Sequence, residues 1–392
     1  MTSESISTPL VGQSAFPRAS PVTGGFRFAL AGPEDNTELQ RFARAAEMPG
    51  TLRLCFERAT DYLDALRVEG RHNEVLLCRE GNGNRLVATG HRSIKPAFVN
   101  GENASVGWLG GLRVAVSARS ARLLEQGYAC LRALHEKRPA KLYLSTIMED
   151  NAPAREVLLS RRFGLPAYHD FGRFCCMAIS LRCRFPSGSS ARLTFRRAHE
   201  SDGAALVDFL NREGRSKQFF PEYSVQDFGH PGGLLAHLEW EDIVLAFRGR
   251  ELVGVLAAWD QRDIRQWWIA GYAPWLRALR IPLNWVARLR QMPSLPSPGS
   301  PLDYFVLSLA CIRDNDRDVF RSLLGEVIRT QQGRHSFFLA GFHERDPLLP
   351  DLMARPHVPL HSRLYVVAWE DGAQAVRALD RGRIPYLETG SL

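Results

Sequence analysis

The sequence predicts an α/β protein built twice over: two tandem domains, each a mixed, mostly antiparallel sheet flanked by helices. Three observations carry this. Phe28, Ala31, Asp35, Leu39 and Phe42 return as Phe195, Ala198, Asp202, Leu206 and Phe209, each pair 167 residues apart. Each copy then carries two apolar runs of strand length around a glycine-containing turn, the pattern of a hairpin. Both copies close on a further strand, a helix and a last strand, and a repeat of this size marks a duplicated domain rather than a solenoid.

Taken in order, Phe26–Leu30 is a strand and the residues after Asp35 form an amphipathic helix, with Asp35 placed to accept from its free first-turn N–H groups. Glu74–Cys78 and Arg85–Gly90 form the hairpin, Lys141–Thr146 is a later strand after a helical stretch, and Phe174–Leu181 closes the copy. In the second copy Leu193–Arg197, the helix after Asp202, Asp242–Ala246 with Glu251–Leu256, Ser336–Ala340 and Leu364–Trp369 take the same places. The expected boundaries are a disordered Ser/Thr/Pro/Gly-rich lead at 1–24, a first domain at 25–183, a polar linker at 184–190, a second domain at 191–371 and a tail at 372–392.

The second copy also carries an insert, 261–301, in which Trp267, Trp268, Trp275 and Trp285 stand among Arg277, Arg280, Arg288 and Arg290. Pro282 is expected to split it into two short helices. The tryptophans are expected to cover the join between the copies; contact with a membrane surface or nucleic acid is the alternative.

The chain has 392 residues, 45% hydrophobic and 23% charged, which excludes a collagen, a coiled-coil rod and a wholly disordered chain. Its formal net charge of +8 suits anionic ligands without demanding nucleic acid, and none is expected. Only Lys95, Lys137, Lys141 and Lys217 among the basic residues are lysines; arginine favours bidentate contacts to phosphate and carboxylate. Seven cysteines, an odd number without a Cys-x-x-Cys pair, argue against a disulfide framework and a zinc knuckle, and no metal is expected. No run approaches a membrane span, and the N-terminus lacks a basic stretch followed by an apolar one, so a cytoplasmic protein is expected. A homo-oligomer stays open.

Two motifs in the first copy carry chemistry. Leu112–Leu124 reads as a strand, a loop holding Ser117, Arg119, Ser120 and Arg122, and the start of a helix. Such a turn offers unpaired backbone donors and the positive end of a helix dipole to an anion. The second motif, Asn151-Ala-Pro-Ala154 through Leu158 to Phe163-Gly164, follows the Lys141–Thr146 strand. Read from its residues alone, it is a helix with an Asn N-cap.

The element order and these two motifs resemble the GCN5-related N-acetyltransferase (GNAT) fold, present twice, over nearly all of 26–370. The resemblance implies that the coenzyme A pyrophosphate lies on the first loop, with Val114, Val116, Ser117, Arg119, Ser120, Ala121, Arg122, Leu123 and Leu124 as binding residues. Arg119 matches the family's Arg/Gln position, whereas Arg122 and Leu124 stand where the family has glycines and Val116 where it has proline. Asn151 and Ala154 would lie along the pantetheine. Leu158 stands in place of the tyrosine that often protonates the leaving thiolate, so Tyr168 is a candidate acid, with His169 beside it. Glu149, at the mouth of the gap between the fourth and fifth strands, is the candidate general base. Gly110-Gly111 would form the bulge that turns a backbone N–H into the site.

In the second copy Asp314, Asp316 and Asp318 crowd the equivalent turn, where they cap the helix and repel a pyrophosphate, so this copy reads as degenerate. His343 and Glu344 lie at its matching strand end. The aspartates' spacing lacks the glycine and distal glutamate of a calcium loop.

The implied activity is an N-acetyltransferase that moves acetyl from acetyl-CoA, as co-substrate, to a primary amine of a small molecule or protein by direct attack. The alternative is a non-catalytic tandem that binds an acyl-CoA or a partner without turnover.

Overall fold

The computed structural model describes residues 25–45, 51–58, 61–81, 84–162, 164–183 and 193–392. The expected lead (1–24), the linker (184–190) and Phe163 lie outside the described residues. The first copy runs β1 (Phe26–Leu30), α1 (Asn36–Ala45), β2 (Leu52–Arg58), β3 (His72–Glu80), β4 (Arg85–Val99), β5 (Glu102–Val114), α2 (Ala121–Lys137), β6 (Leu142–Met148), α3 (Ala152–Leu158) and β7 (Ala167–Ser180). The second runs β8 (Leu193–Arg197), α4 (Gly203–Gly214), β9 (Ile243–Arg248), β10 (Glu251–Trp259), β11 (Arg265–Tyr272), α5 (Pro274–Leu289), β12 (Tyr304–Ile312), α6 (Arg317–Gln331), β13 (Phe337–His343), α7 (Leu349–Met353), β14 (His357–Ala368) and α8 (Ala373–Arg377).

Local chemistry explains the main elements. Asn100 and Gly101 both take positive φ (57° and 85°), the geometry of a tight hairpin turn, and so join β4 to β5. The nine residues of β12 are all buried, as a near-continuous apolar run requires. All seven cysteines are free thiols.

Twelve strands form one sheet in the order β1-β3-β4-β5-β6-β14-β7-β13-β12-β10-β9-β8. Among the described strands, only β5/β6 and β12/β13 pair in parallel. The two copies exchange their last strands: β14 lies against β6 of the first copy, β7 lies against β13 of the second, and β7 and β14 pair with each other at the centre. The fold is therefore α/β with two tandem units, and its sheet is continuous across them.

A second, two-stranded ribbon joins β2 to β11, setting Trp267 opposite Phe56 and Trp268 opposite Cys55. These two tryptophans cover the join, as expected. Trp275 and Trp285 do not; they face outward from α5. Pro282 does not split the insert either, because α5 runs unbroken through it. Proline removes the bond to the carbonyl of Ala278, and both residues are exposed, so water reaches that carbonyl.

Candidate active site

The site begins where two strands part. β5 and β6 pair only from Val106–Leu142 to Trp108–Leu144; beyond that β6 continues against β14, and a gap opens on its β5 side. On the other edge of the gap, β5 bulges against β4: the register shifts between Thr89 and His91, opposite Gly110 to Arg113. Gly111 there has φ +61°, a left-handed conformation that glycine adopts without steric cost.

His91 covers this bulge. A Cβ on Gly111 would lie 2.3 Å from His91 Nδ1, so the imidazole occupies the space glycine leaves free. His91 stands opposite Val75 of β3, which packs with Leu39 of α1, so its ring lies on the sheet face away from α2. His91 Nε2 is 2.5 Å from Glu69 Oε2, and Glu69 Oε1 accepts from Arg58 at 2.6 Å. Exposure is 4% for Arg58, 2% for Glu69 and 3% for His91. Burial opposes ionisation of Glu69, but the neighbouring His91 and Arg58 prevail and hold its carboxyl well below the usual range. An ionised carboxylate only accepts, so His91 Nε2 donates to it; Nδ1 is buried and has no hydrogen-bond partner among the described residues. Lys95, four residues along the same strand, is pushed down to about 8 by burial, against the opposing pull of Glu388 and Glu69.

On the α2 face, the strand-to-helix turn is cationic and open. Val116–Ala118 form one 3-10 turn, and Ser120 caps α2 by accepting from Leu123 N–H at 3.2 Å. The first turn of α2 holds no acidic residue. Ser117, Arg119, Ser120, Ala121 and Arg122 are exposed, Leu123 is buried, and Val114 and Leu124 are half-buried. Val116 is exposed, and the side chains of Arg119 and Arg122 have no hydrogen-bond or ion-pair partner among the described residues. Free first-turn N–H groups beside unpaired guanidinium groups fit a diphosphate.

The other expected residues lie around this frame. Asn151 caps α3, its side chain accepting from Ala154 N–H at 3.2 Å. Glu149 follows β6 and is held by Arg173 at 2.7 Å, whose hydrogen bond, more than its charge, keeps the carboxyl below its usual value. Tyr168 is a buried strand residue of β7; its hydroxyl is 2.8 Å from that of Tyr128 on α2. Burial pushes the Tyr168 phenol well above its ordinary value. The structure brings Tyr168 to the α2 side, whereas Glu149 stands apart in its surface ion pair. Sequence reading missed His91, Glu69 and Arg58. Its one available signal was the run Arg85–Val99, where His91, Arg92 and Lys95 interrupt an otherwise mostly apolar strand; Glu69 sits in a loop without a pattern.

No protein-family model and no curated protein matches the chain. Solved structures do. A fungal multi-domain GH3 β-N-acetylglucosaminidase, described as having a GCN5-related glucosamine N-acetyltransferase region, superposes with a TM-score of 0.58 at 13% identity, over 92% of this chain. This chain has the GNAT fold. It spans only 39% of that larger chain. Saccharomyces cerevisiae N-myristoyltransferase with bound myristoyl-CoA gives a TM-score of 0.57 at 11% identity, over 92% of this chain and 83% of that one. The same enzyme with myristoyl-CoA and inhibitors gives 0.57 at 12%, over 99% and 92%. At these identities the likeness concerns the fold alone.

The second GNAT unit repeats the gap and closes it. β12 and β13 part after Val306–Leu339, and three residues beyond Val306 stands Leu309, with φ +52°, where Gly111 stands three beyond Trp108. Here the tail enters: Leu309 N–H donates to Glu388 at 3.0 Å, and Thr389 Oγ1 donates to the carbonyl of Gly341 at 3.1 Å. Tyr386 also donates to Glu388, at 2.7 Å. The α6 start differs likewise, because Asp316 accepts from the N–H groups of Asp318 and Val319.

Proposed function

We propose that this chain is an acyl-CoA-dependent N-acyltransferase, most simply one that uses acetyl-CoA on a primary amine, and that the segment 25–183 holds the coenzyme. In this reading 191–371 is a degenerate copy that completes the sheet, and the protein works in the cytoplasm. One observation carries the proposal: the Gly111 bulge on the β5 edge of the first gap is covered on one face by a buried imidazole nitrogen, and the other face adjoins an acid-free helix start with two arginines, none of them partnered among the described residues.

The roles follow from position. Arg119, Arg122, Ser117 and the first-turn amides of α2, with Val114, Val116, Ala121, Leu123 and Leu124 around them, hold the diphosphate; Asn151 and Ala154 border the pantetheine. The Gly110–Gly111 bulge supplies a backbone donor to the acyl carbonyl oxygen. His91 Nδ1 accepts a proton from the incoming amine as the C–N bond forms, and Glu69 fixes the tautomer and steadies the imidazolium. The base role expected of Glu149 passes to His91, because Glu149 already serves Arg173. As the C–S bond breaks, Tyr168, kept protonated by its burial, gives a proton to the thiolate.

The test is a thermal-shift titration with acetyl-CoA and myristoyl-CoA, paired with an assay of thiol release on an amine panel. A ligand at a hundred times Kd stabilises the native protein by about 2.7 kcal/mol. Arg119→Glu should weaken binding at least about tenfold, since it replaces a charge-assisted contact by repulsion. The absence of a shift with both ligands overturns the proposal; a shift without thiol release favours the non-catalytic tandem.

A further inference from the structure

The helix α5 is apolar where a surface helix should be polar. Its inner face is ordinary: Leu276 is buried, and Leu283 joins it against Ile269 and Tyr272 of the β2–β11 ribbon. Its outer face carries Trp275, Ile281, Trp285 and Leu289, of which Trp285 is 69% and Leu289 83% exposed. At 100° per residue these four fall within about a third of a turn of one another, on the side opposite Leu276 and Leu283. A helix that is apolar on both sides needs a second apolar environment.

The polar residues say which one. Arg277 and Arg288 flank the outer face, Arg280 and Arg290 follow, and no acidic residue stands between Asp263 and Asp303. The side chains of Arg277, Arg288 and Arg290 have no ion-pair or hydrogen-bond partner among the described residues. A second copy of this chain docking face to face would bring two rows of arginine together with no carboxylate to pair them. An anionic lipid surface satisfies both demands: acyl chains take the tryptophans and leucine, and headgroup phosphates take the arginines. α5 has 16 residues, and no helix among the described residues is long and apolar enough to cross a membrane, so this one lies on the surface.

We infer that α5 is a membrane-surface anchor that docks the protein on anionic bilayers through Trp275, Ile281, Trp285 and Leu289. This stands independently of the acyltransferase reading, since it uses no residue of the gap.

The experiment is co-flotation of the full chain with vesicles of phosphatidylcholine, with and without phosphatidylglycerol. The wild type floats with the phosphatidylglycerol vesicles, and added salt weakens it. The double variant Trp285→Glu/Leu289→Glu loses about tenfold or more in partitioning, because both apolar side chains leave the bilayer. Arg277→Glu/Arg288→Glu loses the preference for phosphatidylglycerol, by about fivefold per site. These side chains are exposed, so the variants should keep the wild-type melting temperature. As a second readout on the wild type, brominated lipid should quench the tryptophan emission that Trp285→Phe removes. Failure of the wild type to float, equal partitioning of Trp285→Glu/Leu289→Glu, or a solution dimer that this variant splits would each overturn the inference.

Discussion

The two copies build the same gap and use it oppositely. In both, a pair of parallel strands parts, and the residue three positions on takes a positive φ. In the first copy that residue is Gly111, overlaid by an imidazole with a free nitrogen. In the second it is Leu309, whose N–H is taken by Glu388 from the tail. The helix starts divide in the same sense: α2 is capped by Ser120 and lined by arginine, α6 by Asp316. A carboxylate at a helix start takes the donors an anionic ligand would need, and one against a bulge takes the donor an acyl oxygen would need. The difference teaches that the fold supplies the same bulge twice, and that a few side chains decide whether an imidazole or a carboxylate from the tail meets it.

Five changes test this contrast. The largest effect belongs to Gly111→Val. A β-branched side chain at φ +61° is strained and strikes His91, so the proposed acyl transfer should fall at least about a hundredfold in steady-state assays. Wild-type turnover in this variant would remove the bulge from the mechanism.

Next comes Glu69→Gln, which leaves Arg58 buried without its counter-charge and should cost about 3–5 kcal/mol in urea denaturation at neutral pH. The sign with pH follows from the lowered pKa. The ionised Glu69 stabilises the wild type fully above the unfolded value of about 4.3, and that stability drains away as pH falls below it. The variant should show a flatter acid limb; an unchanged slope would mean that Glu69 is not ionised in the fold.

Glu388→Ala strands the Leu309 N–H and the Tyr386 hydroxyl, with an expected loss of about 1–3 kcal/mol. Hydrogen exchange should quicken at the Leu309 amide, and its protection in the variant would show that the tail does not hold the second gap. The smallest effect is Asp316→Ala, about 1 kcal/mol for a lost helix cap in thermal unfolding. A loss as small in Ser120→Ala would match, but only the Ser120 change should alter acyl-CoA affinity.

Much of the fold was legible. The 167-residue spacing and the hairpin signals located the repeated strands because apolar alternation and glycine turns are local properties. The strand exchange was not legible, since β7 and β14 are apolar enough to pair with either neighbour and register carries no label of its partner. Of the site, the cationic turn from Ser117 to Arg122 and the Gly110–Gly111 bulge could be read from residue type and position. The Arg58–Glu69–His91 chain could not, because its members come from a strand, a loop and another strand. Pro282 misled for a related reason: a helix tolerates proline more readily where the freed carbonyl can turn to water, and exposure is a tertiary fact.

The sequence by itself determined the α/β class, the duplication, the free cysteines and the charge of the α2 start, all of which rest on short-range pattern. Only the tertiary structure decided which gap the tail enters, which carboxylate meets the imidazole and which face of α5 is left bare. Those depend on contacts between residues far apart in the chain, where packing and not propensity sets the energy.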